Sequence, residues 1–432
     1  MAFVVETFLF VLCLACALPR MLWAALLDIQ TKRRKPLAAG EDNRRAGFDV
    51  ICISHVEWRH VWQRNQHVMS RLARGGRVLY CYPVKIRALR KHWRRVLQGV
   101  QKLDGPSLWL AYPLVIPGSR VSRAVECLNT FLIGGWLRAW ARRLGLANPV
   151  LWYYFPDLVS LRGRMGETCC VYDIQDDYTR FFWASPDVGV REQRLLAAAD
   201  LVFTGTHSLY RKHRAAAKRI EFVPSGVDVE HFRRARRAPL ERPVSLRAMS
   251  GPVVGYFGLI DERIDLKLIA ELARRRPKWN FVMVGPVMAS AQRIEPLPNV
   301  RFPGQVDYEE LPRYAQLFDV CLMPFVLNDL TRAINPTKTL EYFALERPVV
   351  SSRIPDIVEF YGEVIDFAEG TEEWEAAIER ALRPDPARIG RALAIARERS
   401  WDAITQRFAD RIRDRIAEPR RGETTESHRD RR

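Results

Sequence analysis

Val253-Val-Gly-Tyr-Phe-Gly258-Leu-Ile-Asp261-Glu-Arg263 runs an apolar, strand-forming segment into a glycine turn. A helical pattern follows, with Leu266, Ile269 and Leu272 on one face. Strand, glycine and helix in that order make half of a βαβ unit, the building block of parallel sheets. The same alternation continues toward the C-terminus. Buried-strand runs stand at 281–284, 320–324, 348–351 and 362–367, and helical patterns at 265–275, 308–317, 337–345 and 371–382. A last helix is expected at about 400–415, after a Pro-containing turn at 383–387. Toward the N-terminus, strand runs stand at 49–54, 78–82, 108–112, 150–154, 169–172, 201–204 and 220–223, with amphipathic segments such as 61–74 and 190–199 between them. Residues 233–251, rich in Arg, Pro and Ser, read as a linker.

The expected fold is therefore α/β: two Rossmann-like, doubly wound domains facing a cleft, plus an N-terminal hydrophobic helix. Expected boundaries are 1–35 for an N-terminal anchor, 46–240 for the first domain and 250–390 for the second. A helical segment at 391–416 and a polar, disordered tail at 417–432 complete the chain. In such sheets ligands sit outside the carboxyl ends of the strands, so the loops just after strands carry the candidate residues.

The chain has 432 residues, 48% hydrophobic and 27% charged, which excludes a mainly disordered chain, a coiled coil and a polytopic membrane protein. Sixty-eight Lys and Arg against 50 Asp and Glu give a net charge of +18 and point to an anionic partner. No zinc motif or aromatic-basic platform supports a nucleic acid in that role. The eight cysteines lie mostly inside apolar runs and read as reduced thiols. Cys13 and Cys16 have CxxC spacing but no second pair or histidine nearby, and no metal site is expected.

Several loops carry chemistry. Gly258 lets backbone approach a ligand, and Arg263 is placed to pair with a diphosphate; a tight βα turn with a solvated Arg is the alternative. In Asn335-Pro-Thr337-Lys338-Thr-Leu-Glu341, Asn335 suits an N-cap and Pro336 the first helical position. Thr337 and Lys338 then stand at a helix N-terminus suited to a diphosphate, and Glu341, one turn on, suits a ribose diol. A capped surface helix is the alternative there. Asp173, Asp176 and Asp177 follow a strand and are placed to orient an acceptor hydroxyl or take its proton, or else to cap the next helix. His55 and Trp58 follow the first strand, with His55 either a base or a structural polar residue.

These segments resemble a known family in order and spacing. GYFG (255–258), LPNVRFPGQVDYEELPRY (297–314), FDVCLMPF (318–325) and NPTKTLEYFALERPVVSS (335–352) are similar to the nucleotide-binding domain of GT-B glycosyltransferases, resembling retaining family 4 (glycosyltransferase group 1). AADLVFTGTHSL (198–209) and FVPSGVDVEHF (222–232) resemble the segments before that family's interdomain linker. The resemblance spans roughly 48–415. It implies a hexosyltransferase-like enzyme of class EC 2.4 that retains anomeric configuration. It would use a nucleotide-diphosphate-sugar as co-substrate, without metal or other cofactor.

Glu341 matches the second glutamate of the family's E-x7-E motif, which binds the donor ribose. By resemblance, Gly258, Arg263, Asn335, Thr337, Lys338 and Glu341 are the donor site. Asp173, Asp176, Arg263 and Lys338 are the candidate catalytic groups, and His55, Trp58 and Asp177 are acceptor-side. The chain departs from the pattern twice. Ala333 stands where the first glutamate falls, with Asp329 the nearest upstream acid, and Asp173 takes the place of the family's frequent histidine. Ala333 also motivates an alternative, a noncatalytic sugar-nucleotide-binding subunit of a polysaccharide assembly complex.

A membrane surface is the other expected partner. Residues 7–19 (TFLFVLCLACALP) and MLWAALL after Arg20 are apolar, and Lys32, Arg33, Arg34 and Lys35 follow. This segment either crosses the bilayer once, lies in its interface, or is a buried helix. Residues 87–102 form a second basic amphipathic stretch, with Arg87, Arg90, Lys91, Arg94 and Arg95 opposite Leu89, Trp93, Val96, Leu97 and Val100. The expected location is the cytoplasmic face of the inner (plasma) membrane, with a lipid-linked or saccharide acceptor of the cell envelope.

Overall fold

A computed structural model describes residues 13, 15–26, 47–59, 62–118, 122–181, 184–237, 240–247, 249–288, 291, 293–333 and 337–418. Its strands are β1 (Val50–Ile53), β2 (Val78–Cys81), β3 (Val100–Lys102), β4 (Leu108–Ala111), β5 (Val150–Tyr153), β6 (Cys169–Ile174), β7 (Leu201–Thr204) and β8 (Ile220–Phe222) in the first half. The second half has β9 (Val253–Phe257), β10 (Asn280–Val284), β11 (Val300–Gly304), β12 (Val320–Met323), β13 (Val349–Ser351) and β14 (Asp366–Phe367).

They form two sheets. The first has the order β3-β4-β2-β1-β5-β6-β7-β8, and the second β11-β10-β9-β12-β13-β14. Every pairing is parallel except β3 with β4. The inner strands of the first sheet are buried on both faces. Val50, Cys52, Val78 and Tyr80 join one apolar cluster, and Ile51, Ile53, Leu79 and Cys81 the opposite one. That period-2 division of an apolar run is why the sequence reads as a helix-covered parallel strand.

The domain boundary differs from the expected one. The first sheet ends at Phe222, and the chain crosses to the second domain within the next few residues. Val227, Val229 and Phe232 already belong to the core of the second domain, and residues 229–237 are helix. Residues 233–237 (RRARR) carry no large apolar side chain, which is why the sequence alone reads 233–251 as linker. The expected Pro-containing turn stands at 382–385, and a helix at Pro386–Glu398 follows it, before the expected last helix.

The chain then returns. The last helix, Trp401–Ala417, packs on the first domain through Trp401, Ile404, Phe408 and Ile412. The outward and return crossings are tied together: Val227 N donates to Arg399 O at 2.9 Å, and Trp401 N to Val227 O at 3.2 Å.

Residues 15–26 are helical and lie against the first domain. Among the described residues no helix is long and apolar enough to cross a membrane. The amphipathic stretch 87–102 is not one helix: the helix is Ile86–Gln98, and Val100–Lys102 pairs as β3. Its Leu89 and Val96 are buried in the domain core.

Candidate active site

The strand order reverses between β1 and β5 in one sheet and between β9 and β12 in the other, the positions where doubly wound sheets open a crevice. A cavity of about 1360 Å³ joins the two, walled by loops from both domains. Of the sequence-derived candidates, His55, Asp176, Gly258, Arg263, Thr337, Lys338 and Glu341 line it.

On the second domain the cavity floor is made of glycines. Gly258 has φ +136°, and its N–H donates to Val284 O at 2.8 Å. Gly285 follows β10 as Gly258 follows β9, with φ +143°. A β-carbon there would stand 1.9 Å from Gly258 O. Backbone thus packs on backbone where only glycine fits, and the floor stays open to a ligand. Gly285 was not among the sequence candidates, although Val284-Gly285 repeats the strand-glycine signal of Phe257-Gly258.

Two cations overlook this floor. Arg263 is held by Asp261: its backbone N–H donates to Oδ1 at 3.0 Å and its Nη2 to Oδ2 at 2.7 Å. Burial works against the guanidinium charge, but the Asp261 hydrogen bonds outweigh it and hold the pKa above the usual arginine value. Lys338 opens the helix Lys338–Ala344, with its Nζ 5.9 Å from the centre of the Tyr256 ring. Burial lowers its pKa, opposed by Glu341. The Glu341 carboxyl is pushed up to about 7 by burial, with Lys338 pulling it down. Phe257 N–H donates to Tyr342 Oη at 3.2 Å and ties this helix to the end of β9.

Facing them from the first domain is Asp176, whose carboxyl burial raises and Arg263 lowers. His55 lies between the rings of Phe155 (4.9 Å) and Tyr178 (5.1 Å). Burial lowers its pKa to about 4, so at neutral pH it is an uncharged, weak base.

Three expectations are corrected. Asp173 is not in the cleft. It is fully buried and accepts from Arg64 Nε at 3.0 Å and Nη2 at 2.8 Å, while Arg64 Nη1 donates to Val223 O at 2.7 Å. The pair is a structural tie inside the first domain. Asp177 is likewise withdrawn: burial raises its carboxyl, but hydrogen bonds from Lys212 (2.7 Å) and Thr179 win and lower it. Trp58 is buried edge-on against Tyr80 at 5.0 Å. The tryptophan in the cleft wall is Trp62, stacked on Tyr308 of the second domain at 5.9 Å.

Asp329 does not face the cavity either; its carboxylate accepts from Arg180 of the first domain at 2.8 Å, on the surface. Asn335 lies outside the described residues. Among the described residues no His, Cys, Asp and Glu side chains are grouped to hold a metal ion.

Residues 251–383, which contain the glycine floor, Arg263, Lys338 and Glu341, match the family described as Glycosyl transferases group 1. The putative teichuronic acid biosynthesis glycosyltransferase TuaH of Bacillus subtilis (strain 168) is 28% identical over 281 residues, covering 59% of this chain and 69% of that protein. The chain is a glycosyltransferase of GT-B fold whose second half matches group 1. Solved structures share the glycosyltransferase's fold at low identity. The E. coli trehalose-6-phosphate structure bound with UDP-2-fluoro glucose superposes with a TM-score of 0.61 at 14% identity, over 86% of this chain and 99% of that one. Anabaena HepE in complex with UDP gives 0.61 at 12%, over 85% and 100%. Sucrose-phosphate synthase from Thermosynechococcus elongatus gives 0.62 at 17%, over 86% and 99%.

Proposed function

We propose that this glycosyltransferase moves a sugar, with retention, from a nucleotide-diphosphate-sugar to a hydroxyl of an envelope saccharide, without a metal. The observation that carries the donor half is the convergence of Arg263 and Lys338 over the Gly258–Gly285 floor, with Glu341 one turn beyond Lys338. Two cations beside exposed backbone are suited to a diphosphate. A carboxylate just beyond them is suited to accept from the two ribose hydroxyls. Structural neighbours solved with UDP or UDP-2-fluoro glucose, and the TuaH relative's place in teichuronic acid biosynthesis, support the reading.

In this mechanism the bond between the sugar's C1 and the β-phosphate oxygen breaks, and its electron pair stays on the diphosphate. Arg263 and Lys338 stabilise the charge that develops there, which is differential stabilisation of the transition state. The acceptor hydroxyl forms the new bond to C1 on the same face and passes its proton to the departing β-phosphate oxygen, which lies on that face. Asp176, across the cavity from the cations, is the side chain placed to orient that hydroxyl. With a nucleotide sugar as donor, the cleft would work on the cytoplasmic face of the envelope membrane.

The test is turnover. Purified protein is given UDP-, GDP-, ADP- and TDP-sugars with an envelope saccharide fraction, and released nucleoside diphosphate is followed. Release with one donor, absent in Lys338→Ala, supports the reading. Ala333 favours a second reading, a noncatalytic sugar-nucleotide-binding subunit; donor binding without turnover would select it.

A further inference from the structure

The helix at residues 15–26 shows two different faces. Cys13, Ala17, Met21 and Ala25 recur every fourth residue and are buried on the first domain. The seat is close. A β-carbon on Gly135, in the helix Arg123–Arg143, would stand 2.5 Å from Ala25 Cβ, and Arg20 Nη1 donates to Leu97 O at 2.8 Å. The face turned away is apolar as well. Leu22, Trp23 and Leu26 are exposed, Trp23 by 66%.

Two further exposed apolar residues, Leu128 and Phe131, precede Gly135 by two turns and one turn on the same helix. Residues i, i+3 and i+7 share a helix face, so they continue the patch past the point where the two helices meet. Its border is basic. The neighbouring helix Ile86–Gln98 buries Leu89 and Val96 and exposes Arg87, Arg90, Lys91 and Arg94.

We propose that this face docks on an anionic lipid surface, with Leu22, Trp23, Leu26, Leu128 and Phe131 entering the headgroup boundary and the Ile86–Gln98 helix contacting anionic headgroups. The occupant follows from chemistry. Exposed Trp and Leu on a helix already packed against a folded domain gain by entering an interface rather than by crossing a bilayer. Flanking Lys and Arg attract acidic lipid, each adding affinity near the surface. A protein partner with an apolar groove would satisfy the first feature alone; the charge border matches a bilayer. The apolar contact is thereby assigned to the 15–26 helix and not to the helix at 86–98, whose apolar side is spent on the core. This inference is independent of the donor site.

The experiment uses the full chain, with no donor present, in co-sedimentation with phosphatidylcholine vesicles with and without about 30 mol % phosphatidylglycerol. The wild type is expected to pellet with the anionic vesicles and far less with the neutral ones. Leu22→Ser/Trp23→Ser/Leu26→Ser is expected to lose about tenfold in vesicle affinity at unchanged melting temperature. Arg87→Glu/Arg90→Glu/Lys91→Glu is expected to remove the preference for anionic lipid. The proposal is overturned if the wild type stays in the supernatant with both vesicles, or if the triple serine variant binds like wild type. A dimer in solution that the serine variant abolishes, with no vesicle binding by either protein, also overturns it and assigns the face to a second copy of the chain.

Discussion

Lys338 lies across Gly258. A β-carbon on residue 258 would stand 1.9 Å from Lys338 Cε and 2.6 Å from its Nζ. The lysine therefore reaches the glycine floor of the cavity only because residue 258 has no side chain, and the φ of +136° there favours glycine independently. Gly258→Ala should displace the ammonium group and strain the turn, at a cost of about 1–3 kcal/mol. Donor turnover should fall at least about a hundredfold, with a melting temperature only a few degrees lower. Steady-state kinetics beside a thermal melt check this, and near-normal turnover would count against the site.

Glu341 sets a pH dependence. Its pKa is raised from 4.5 to about 7 in the unliganded protein, so the carboxylate that would accept ribose hydroxyls is half formed at neutrality. Nucleotide affinity should rise between pH 6 and 8 and be flat over that range in Glu341→Gln. The stability sign is opposite. A carboxyl with a raised folded pKa contributes stability that is present below about 4.5 and lost as pH rises through about 7. Unliganded Glu341→Gln should lose less stability than wild type on that rise. Calorimetric titration and thermal melts across the pH series read both effects.

Asp173 and Asp176 should separate cleanly. Asp173→Asn leaves Arg64 buried beside a neutral partner and should cost about 3–5 kcal/mol of stability. Asp176→Asn should leave the fold intact and lower transfer to the acceptor by about 10²–10⁴-fold while sparing nucleotide binding. Chemical denaturation and kinetics on the two variants check the assignment.

The surface pair Arg180–Asp329 joins the two domains at 2.8 Å, with Asp329 mostly exposed. Asp329→Ala should change stability by less than about 1 kcal/mol. If Asp329 stood in for the glutamate absent at 333, the same change would remove donor turnover instead. Turnover within about threefold of wild type is the expected result.

Much of this molecule is legible in its sequence, and what is not has a physical reason. Both parallel sheets follow from apolar runs that alternate with amphipathic helices, and the cavity floor at Gly258 follows from a glycine placed directly after a strand. β3 and β11 escape because Val100–Lys102 and Val300–Gly304 are partly exposed edge strands without a continuous apolar run. Asp173 and Asp177 misled because an acidic cluster after a strand looks the same whether it faces a ligand or a buried arginine. The partner that decides, Arg64, lies 109 positions away for Asp173. Trp62 and Trp58 are both near the first βα loop, and only packing shows which of them turns toward Tyr308.

The central claim is a nucleotide-sugar donor held by Arg263, Lys338 and Glu341. The most direct measurement is thermal stabilisation of the wild type and Glu341→Ala by UDP-, GDP-, ADP- and TDP-sugars. Ligand that binds only the folded protein at about 100 times its Kd adds about 2.7 kcal/mol, a readable shift in Tm. The account predicts a shift with one nucleotide, lost in Glu341→Ala although that variant remains folded. An equal shift in the variant, or none in the wild type with any of the four donors, would contradict it.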